Sequence, residues 1–140
     1  MPHRRSVLFV CLYNSVRSQM AEGIMHARHG DRYDAYSAGI YPAGVDPWAV
    51  KVMAESGMDI SGHRSKMLDI FSERRFDYVV FMSDSPYDIP GLPPADRYLS
   101  CAIPDPAAGI GGREETLGRY RITRERIEEW IANTFAISFK

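Results

Sequence analysis

The sequence predicts an α/β fold on a parallel sheet, and three observations carry that expectation. Short runs rich in β-branched and aromatic residues alternate with stretches of helical apolar spacing along the chain. The run Asp77-Tyr78-Val79-Val80-Phe81-Met82 is apolar enough to be buried on both faces, as strands of a covered parallel sheet must be. With 140 residues there is room for one core, so residues 1–140 are read as a single domain with right-handed crossovers.

Ser6 to Val10 reads as the first strand, and Gln19 to Arg28, with Met20, Ile24 and Ala27 at helical spacing, as the first helix. Asp31 to Tyr33 turns the chain into a short strand, Asp34 to Ala38, ended by Gly39. Tyr41 to Asp46 is loop; Asp46-Pro47 opens a helix, because Asp is a good N-cap and Pro suits the first helical position, and Gly57 closes it. Asp59 to Lys66 is irregular, and Ser65 is read as the cap of a short helix, Met67 to Phe71. After the strand at 77–82, four prolines and a glycine make Pro86 to Pro94 loop, and Arg97 to Ile103 reads as a weaker strand ended by Pro104-Asp105-Pro106. From about Arg113 one long helix buries Leu117, Tyr120, Ile127, Trp130, Ile131 and Phe135, and exposes Arg119, Arg121, Arg124, Glu125, Glu128 and Glu129.

The chemistry concentrates where the first strand breaks into a polar turn and then a helix, Cys11-Leu12-Tyr13-Asn14-Ser15-Val16-Arg17-Ser18. Such a turn aims several backbone N–H groups and the positive end of a helix dipole into one concavity, which suits a tetrahedral oxyanion. The field that holds an anion also stabilises a negative sulfur, so Cys11 is expected to react as a thiolate. Arg17 offers a planar fork of donors for two anion oxygens. The Ser15 and Ser18 hydroxyls can donate to sulfur or anion, and Asn14 enters the left-handed region more readily than most residues. A Cys and an Arg six apart also fit a buried hydrophobe and a solvated charge; strand before, helix after and polar residues between favour the reactive reading. In parallel sheets, ligands sit beyond the carboxyl ends of the strands, so Asp105, after the last strand, can face the same site from ninety-odd positions away.

Composition excludes several classes. A net charge of −1 gives no footprint for nucleic acid or an acidic membrane surface. Two cysteines, Cys11 and Cys101, form no disulfide framework and fit a reducing cytoplasm. The opening Met1-Pro2-His3-Arg4-Arg5 with its apolar sequel imitates a secretory signal, but Asn14, Arg17, Gln19 and Glu22 interrupt it; no segment approaches a membrane span. His26 and His29, three apart on a helix, read as solvated histidines without a third ligand in view, and no metal or cofactor is expected. His63 and Arg64 read as loop charge, with a place at the pocket rim as the alternative; Tyr41 and Trp48 are candidates for a substrate wall.

The first loop, the Ser37-Ala38-Gly39 turn, the Asp46-Pro47 helix start and the Asp105-Pro106 step fall in the order seen in the low-molecular-weight protein tyrosine phosphatases, which the chain resembles over nearly its whole length. Its middle, Gly44-Val45-Asp46-Pro47 through Gly57-Met58-Asp59-Ile60-Ser61, and the Asp105-Pro106-Ala107 step look closer to the thioredoxin-coupled arsenate reductases, which share the fold. The resemblance implies a four-stranded parallel sheet with helices on both faces. It makes Cys11 the nucleophile, Arg17 the anion clamp, Asp105 the general acid, Asn14 and Ser18 loop supports, and Leu12, Tyr13, Ser15 and Val16 the rest of an oxyanion-binding loop. The implied substrates are phosphate esters, on a protein or a small molecule, or arsenate with a thiol reductant; a noncatalytic phosphate-binding module that keeps the cradle is the third reading, against which the set Cys11, Arg17 and Asp105 argues. The departures from the pattern are specific. The relay cysteines of those reductases would fall near Met82 or Ser83 and near Ile89, Val16 stands where a second loop cysteine is common, and Tyr13 where a loop glycine is usual. Ala107 and Ala108 replace the tyrosines with which tyrosine-specific phosphatases grip an aromatic substrate. Cys101, just before the acid step, is either a redox partner for Cys11 or an inert strand cysteine.

Overall fold

In a computed structural model, which describes residues 4–82 and 91–136, the central strand is β1, Arg5–Cys11. Val7, Leu8, Phe9, Val10 and Cys11 are all buried, so both faces of the strand are covered. β2 (Tyr33–Gly39) and β3 (Phe76–Phe81) pair with it on either side, and β4 (Ala95–Ser100) pairs with β3 at the edge. All pairings are parallel and the order is β2-β1-β3-β4. Chain direction across the sheet therefore reverses at β1, and the crevice beyond its carboxyl end is where an open α/β sheet takes its ligand.

Helical structure covers the two faces unequally. Val7, Phe9 and Cys11 join one core with residues of α1 (Arg17–His29), α2 (Pro47–Glu55) and α3 (Arg113–Ala136), among them Met20, Ile24, Val52, Met53, Ile127 and Phe135. Leu8 and Val10 point the other way, into a smaller core with Phe76, Val79 and the 3₁₀ turn Leu68–Phe71. Among the described residues no helix is long and apolar enough to cross a membrane.

The sequence places the main elements, and the differences have physical causes. α1 begins at Arg17, two residues early, because the anion loop leads straight into its first turn. The expected strand Arg97 to Ile103 is instead Ala95–Ser100: register with β3 pairs Phe76 with Ala95 and Phe81 with Ser100, so the ladder ends before the apolar Cys101 to Ile103. Ser65 does not cap the turn at 68–71; its hydroxyl donates to the carbonyls of Tyr13 (3.1 Å) and Asn14 (2.9 Å), 51 and more residues away. Arg124 is not on the exposed face of α3, because it is buried with Nη1 donating to the Val52 carbonyl at 2.6 Å, a tie from α3 to α2. Trp130 is only half-buried, packed at the border of the main core. Most of the expected loop Pro86 to Pro94, and positions 83 and 89, lie outside the described residues.

Candidate active site

A loop that must present its N–H groups inward has to satisfy its carbonyls elsewhere, and this one does. Leu12 O accepts from the N–H groups of Ile40 and Tyr41, Tyr13 O from Ala43, Ser15 O from Asp46 and Val16 O from Met20. Asn14 O takes the Ser65 hydroxyl and the Gln19 amide. With those carbonyls turned outward, the N–H groups at the start of α1 are left for an anion, and the dipole of the helix adds to them.

Asn14 sits at the centre of this arrangement. Its φ of 47° places it in the left-handed region, as expected of an Asn here. Its fully buried side chain is held at both ends: Oδ1 accepts from Lys66 N (2.8 Å) and Gln19 Nε2 (3.0 Å), and Nδ2 donates to Ser18 Oγ at 2.8 Å. Having accepted that bond, the Ser18 hydroxyl has its proton to give to Cys11 Sγ, 2.8 Å away. Asn14 thus holds the Ser18 hydroxyl against the sulfur, where it can donate to a sulfur anion.

Gly39 makes the close approach achievable. A Cβ there would lie 2.7 Å from Asn14 N and 2.9 Å from the carbonyl oxygens of Cys11 and Leu12, all backbone atoms that cannot swing aside. In sequence this glycine reads as the end of a strand and as part of the Ser37-Ala38-Gly39 turn; its close approach to the loop backbone leaves no local mark.

Cys11, Tyr13, Ser15, Val16, Arg17 and Asp105 line one cavity of about 150 Å³, roughly ten times what a single water occupies, together with Ala43, Asp46 and Ala107. Leu12, Asn14 and Ser18, expected to contribute to the binding loop, are not among the residues that line it. Arg17 is buried and its Nη1 donates to the Ile103 carbonyl at 2.8 Å, which ties the anion loop to the segment that carries Asp105. Asp105 caps the 3₁₀ turn Pro106–Ala108, with Oδ1 accepting from Ala107 N at 3.0 Å. Arg119, expected on the solvated face of α3, instead braces this turn through Pro106 O (3.0 Å) and Ile110 O (2.9 Å).

Asp46 and Ala43 were missed as cavity residues. Asp46 was read as the cap of α2, which it is, with Oδ1 accepting from Trp48 N at 2.7 Å; its Oδ2 also accepts from the Tyr120 hydroxyl at 2.7 Å. Burial first, and that bond second, hold the Tyr120 phenol well above its ordinary pKa, so it stays a donor. No local pattern gave this second role to Asp46, because its partner lies 74 residues away. Neither Tyr41, largely exposed, nor Trp48, half-buried with the Arg113 guanidinium 5.5 Å from its ring, lines the cavity.

The remaining candidates fall elsewhere. Cys101 is 1% exposed, is not part of the cavity wall, and burial pushes its thiol up to about 12. His63 and Arg64 stay away from the rim; His63 Nδ1 donates to Gln19 Oε1 at 3.0 Å, and burial chiefly lowers its pKa against the pull of Glu22. His26 does not meet His29 in a ligand group but converges with Glu22 and His63.

Residues 6–137 match the low molecular weight phosphotyrosine protein phosphatase family. The chain belongs to that family. An arsenate reductase of Halalkalibacterium halodurans is 38% identical over 135 residues, 96% of each chain. Among solved structures, an arsenate reductase in the phosphate binding state superposes with a TM-score of 0.82 at 28% identity, over 95% of this chain and 98% of that one. A low molecular weight protein tyrosine phosphatase from T. tengcongensis gives 0.74 at 29% identity, over 97% and 99%. The family is one of enzymes, and its members similar to this chain carry the names of both activities.

Proposed function

We propose that the protein is a cysteine-dependent phosphatase that hydrolyses phosphate monoesters, aryl phosphates among them, through a phosphocysteine. The observation that carries this choice over arsenate reduction is the count and placement of thiols. Reducing arsenate to arsenite takes two electrons, which two thiols supply by becoming a disulfide. The second thiol of this chain, Cys101, is buried, protonated and off the cavity wall. Ester hydrolysis needs one thiol.

In the first step the Cys11 sulfur attacks phosphorus in line, the S–P bond forms and the P–O bond to the leaving group breaks. Arg17 and the loop N–H groups take the equatorial oxygens, where charge is spread in the transition state. The proton for the departing oxygen comes from Asp105; its Oδ1 is occupied by Ala107 N–H, which leaves Oδ2 to carry it. In the second step water attacks the phosphocysteine, Asp105 takes its proton, and phosphate and the sulfur anion are released. Ser18, its proton on the sulfur, stabilises Cys11 both as nucleophile and as leaving group. Sulfur anion and carboxylic acid must coexist, so the rate is expected to follow a bell with an acidic optimum. The rate should not depend on added magnesium.

Arsenate reduction is the second reading, favoured by the names of the relatives and by Ala107 and Ala108 after the acid, which offer no aromatic grip. There Cys11 displaces hydroxide from arsenate, and an external small thiol attacks the sulfur of the adduct, giving a mixed disulfide and arsenite. The deciding measurement compares phosphate release from an aryl phosphate with arsenite production using several thiol donors, with Cys11→Ser as the blank. Ester hydrolysis well above that blank, with little arsenite, is the expected result; arsenite production far outrunning hydrolysis overturns it.

A further inference from the structure

We propose that Glu22, His26 and His63 form a binding site for a divalent transition metal, with zinc the ion that suits this donor set. One ligand atom from each residue lies within 4.8 Å of the others. Glu22 and His26 share a face of α1 by their four-residue spacing, and His63 reaches them from the 59–66 segment, 41 residues beyond Glu22. Two imidazoles and a carboxylate are a recurrent zinc set that leaves a fourth position for water.

What separates this group from a chance cluster is the way each ligand is held. A metal-binding histidine donates its other ring N–H to an oxygen, which fixes the tautomer and raises the basicity of the ligating nitrogen. Both histidines meet that condition. His63 Nδ1 donates to Gln19 Oε1 at 3.0 Å, since Gln19 uses its amide N–H groups on Asn14 and Arg64, and this leaves the lone pair on Nε2. His26 Nε2 lies 3.0 Å from the Ala35 carbonyl, which only accepts, so its lone pair is on Nδ1. Glu22 Oε1 accepts from the Ser37 hydroxyl at 2.5 Å, while Oε2 faces His63 Nε2 at 3.8 Å.

Ligand atoms of a tetrahedral zinc site stand about 3.3 Å apart, as Zn–N and Zn–O bonds near 2.0–2.1 Å require. With every ligand atom within 4.8 Å of the other two, and Glu22 Oε2 already 3.8 Å from His63 Nε2, shifts of about an ångström shared among the three side chains close the site while His26 keeps its bond to Ala35. The residue that opposes the metal is Lys66, whose Nζ lies 3.7 Å from Glu22 Oε1 and donates to the Arg64 carbonyl at 2.8 Å. Its positive charge must be tolerated or displaced, so removing it should tighten the site. The position also has reach. From His63 a row of hydrogen bonds, each donated toward the next residue, runs through Gln19, Asn14 and Ser18 to the Cys11 sulfur.

The test is zinc titration by calorimetry in the Cys11→Ser protein, so that the reactive thiol takes no part, with cobalt absorption as a second readout of coordination. The expected result is one zinc per chain and a visible cobalt spectrum of low coordination number. His26→Asn, a surface change that leaves the fold intact by circular dichroism, should weaken binding about 10-fold or more, as should His63→Asn. Lys66→Met should tighten it several-fold. No saturable zinc binding, or binding that His26→Asn and Lys66→Met leave unchanged, overturns the proposal.

Discussion

Two strand ends meet at the cavity, and they are built by opposite means. Beyond β1, the Cys11 loop is overdetermined, with Cys11, Asn14 and Val16 to Ser18 buried: Asn14 alone engages Gln19, Ser65, Lys66 and Ser18, and Gly39 presses against its backbone. Beyond β4, the segment from Cys101 to Ala108 follows an edge strand with mostly exposed residues; Cys101 N still bonds the Phe81 carbonyl at 2.7 Å and Cys101 and Ile103 enter the main core, while the side-chain ties nearer Asp105 are Arg17 to Ile103 and Arg119 to Pro106. The Cys11 side is held by a dense network centred on Asn14. On the Asp105 side, the turn itself is braced chiefly by long arginine contacts.

Cys11→Ser and Asp105→Asn should break the comparison most severely, and unequally. Loss of the sulfur removes the covalent route, so hydrolysis falls to background on every substrate. Loss of the acid should cost about 10²–10⁴-fold on esters of weakly acidic alcohols and much less on esters of acidic phenols, whose leaving groups need no proton. Rates across a series of leaving groups check this; an equal loss on all of them would remove Asp105 from the acid role. The variant should also lose the alkaline limb of the bell.

The next largest effect lies on the dense side. Gly39→Ala puts a methyl group against three backbone atoms at 2.7–2.9 Å, so it should destabilise the protein by about 1–3 kcal/mol and slow alkylation of Cys11. Chemical denaturation and the rate of thiol modification measure the two effects. On the sparse side, Arg119→Met should lower kcat by something on the order of 10-fold, the scale of a small misplacement of a catalytic group, while alkylation of Cys11 stays unchanged. If Arg119→Met alters both equally, the two ends are not independently built.

The same contrast governs what is legible in the sequence. The Cys11 side is written contiguously: strand, Cys11, polar turn, Arg17 and helix appear in order, so both the element and most of the side chains that line the cavity are read from eight residues. The place of Asp105 on the cavity wall is also legible, because topology brings strand ends together. Contacts made across long separations leave no local mark. Arg119 and Arg124 look like members of a charged helix face, since residue type reveals charge but not the carbonyl that receives it. Ser65 looks like a helix cap, and instead serves a loop some fifty residues earlier. β4 was placed two residues late because an edge strand with exposed side chains lacks the apolar signal that the following Cys101 to Ile103 supplies. Glu22, His26 and His63 are separately ordinary; only the docking of the 59–66 segment on α1 makes them a group.

The smallest expected effect sharpens the comparison through the two thiols. Cys101 is a neutral thiol held by burial, its pKa raised from 9.0 to about 12, while Cys11 receives a hydroxyl donor. Below pH 9 the Cys101 thiol is protonated in both folded and unfolded chains, and its contribution to stability is full. Between pH 9 and 12 the unfolded chain loses this proton and the folded one keeps it, so stability falls as pH rises. Cys101→Ala should therefore cost about 1–2 kcal/mol at neutral pH, flatten the alkaline decline, and leave aryl phosphate hydrolysis as it was. Denaturation midpoints at pH 7 and pH 10 in the two proteins are the measurement. If hydrolysis or thiol-dependent turnover collapses in Cys101→Ala while the fold persists, the second thiol takes part in the chemistry and the acid side holds more of the mechanism than Asp105.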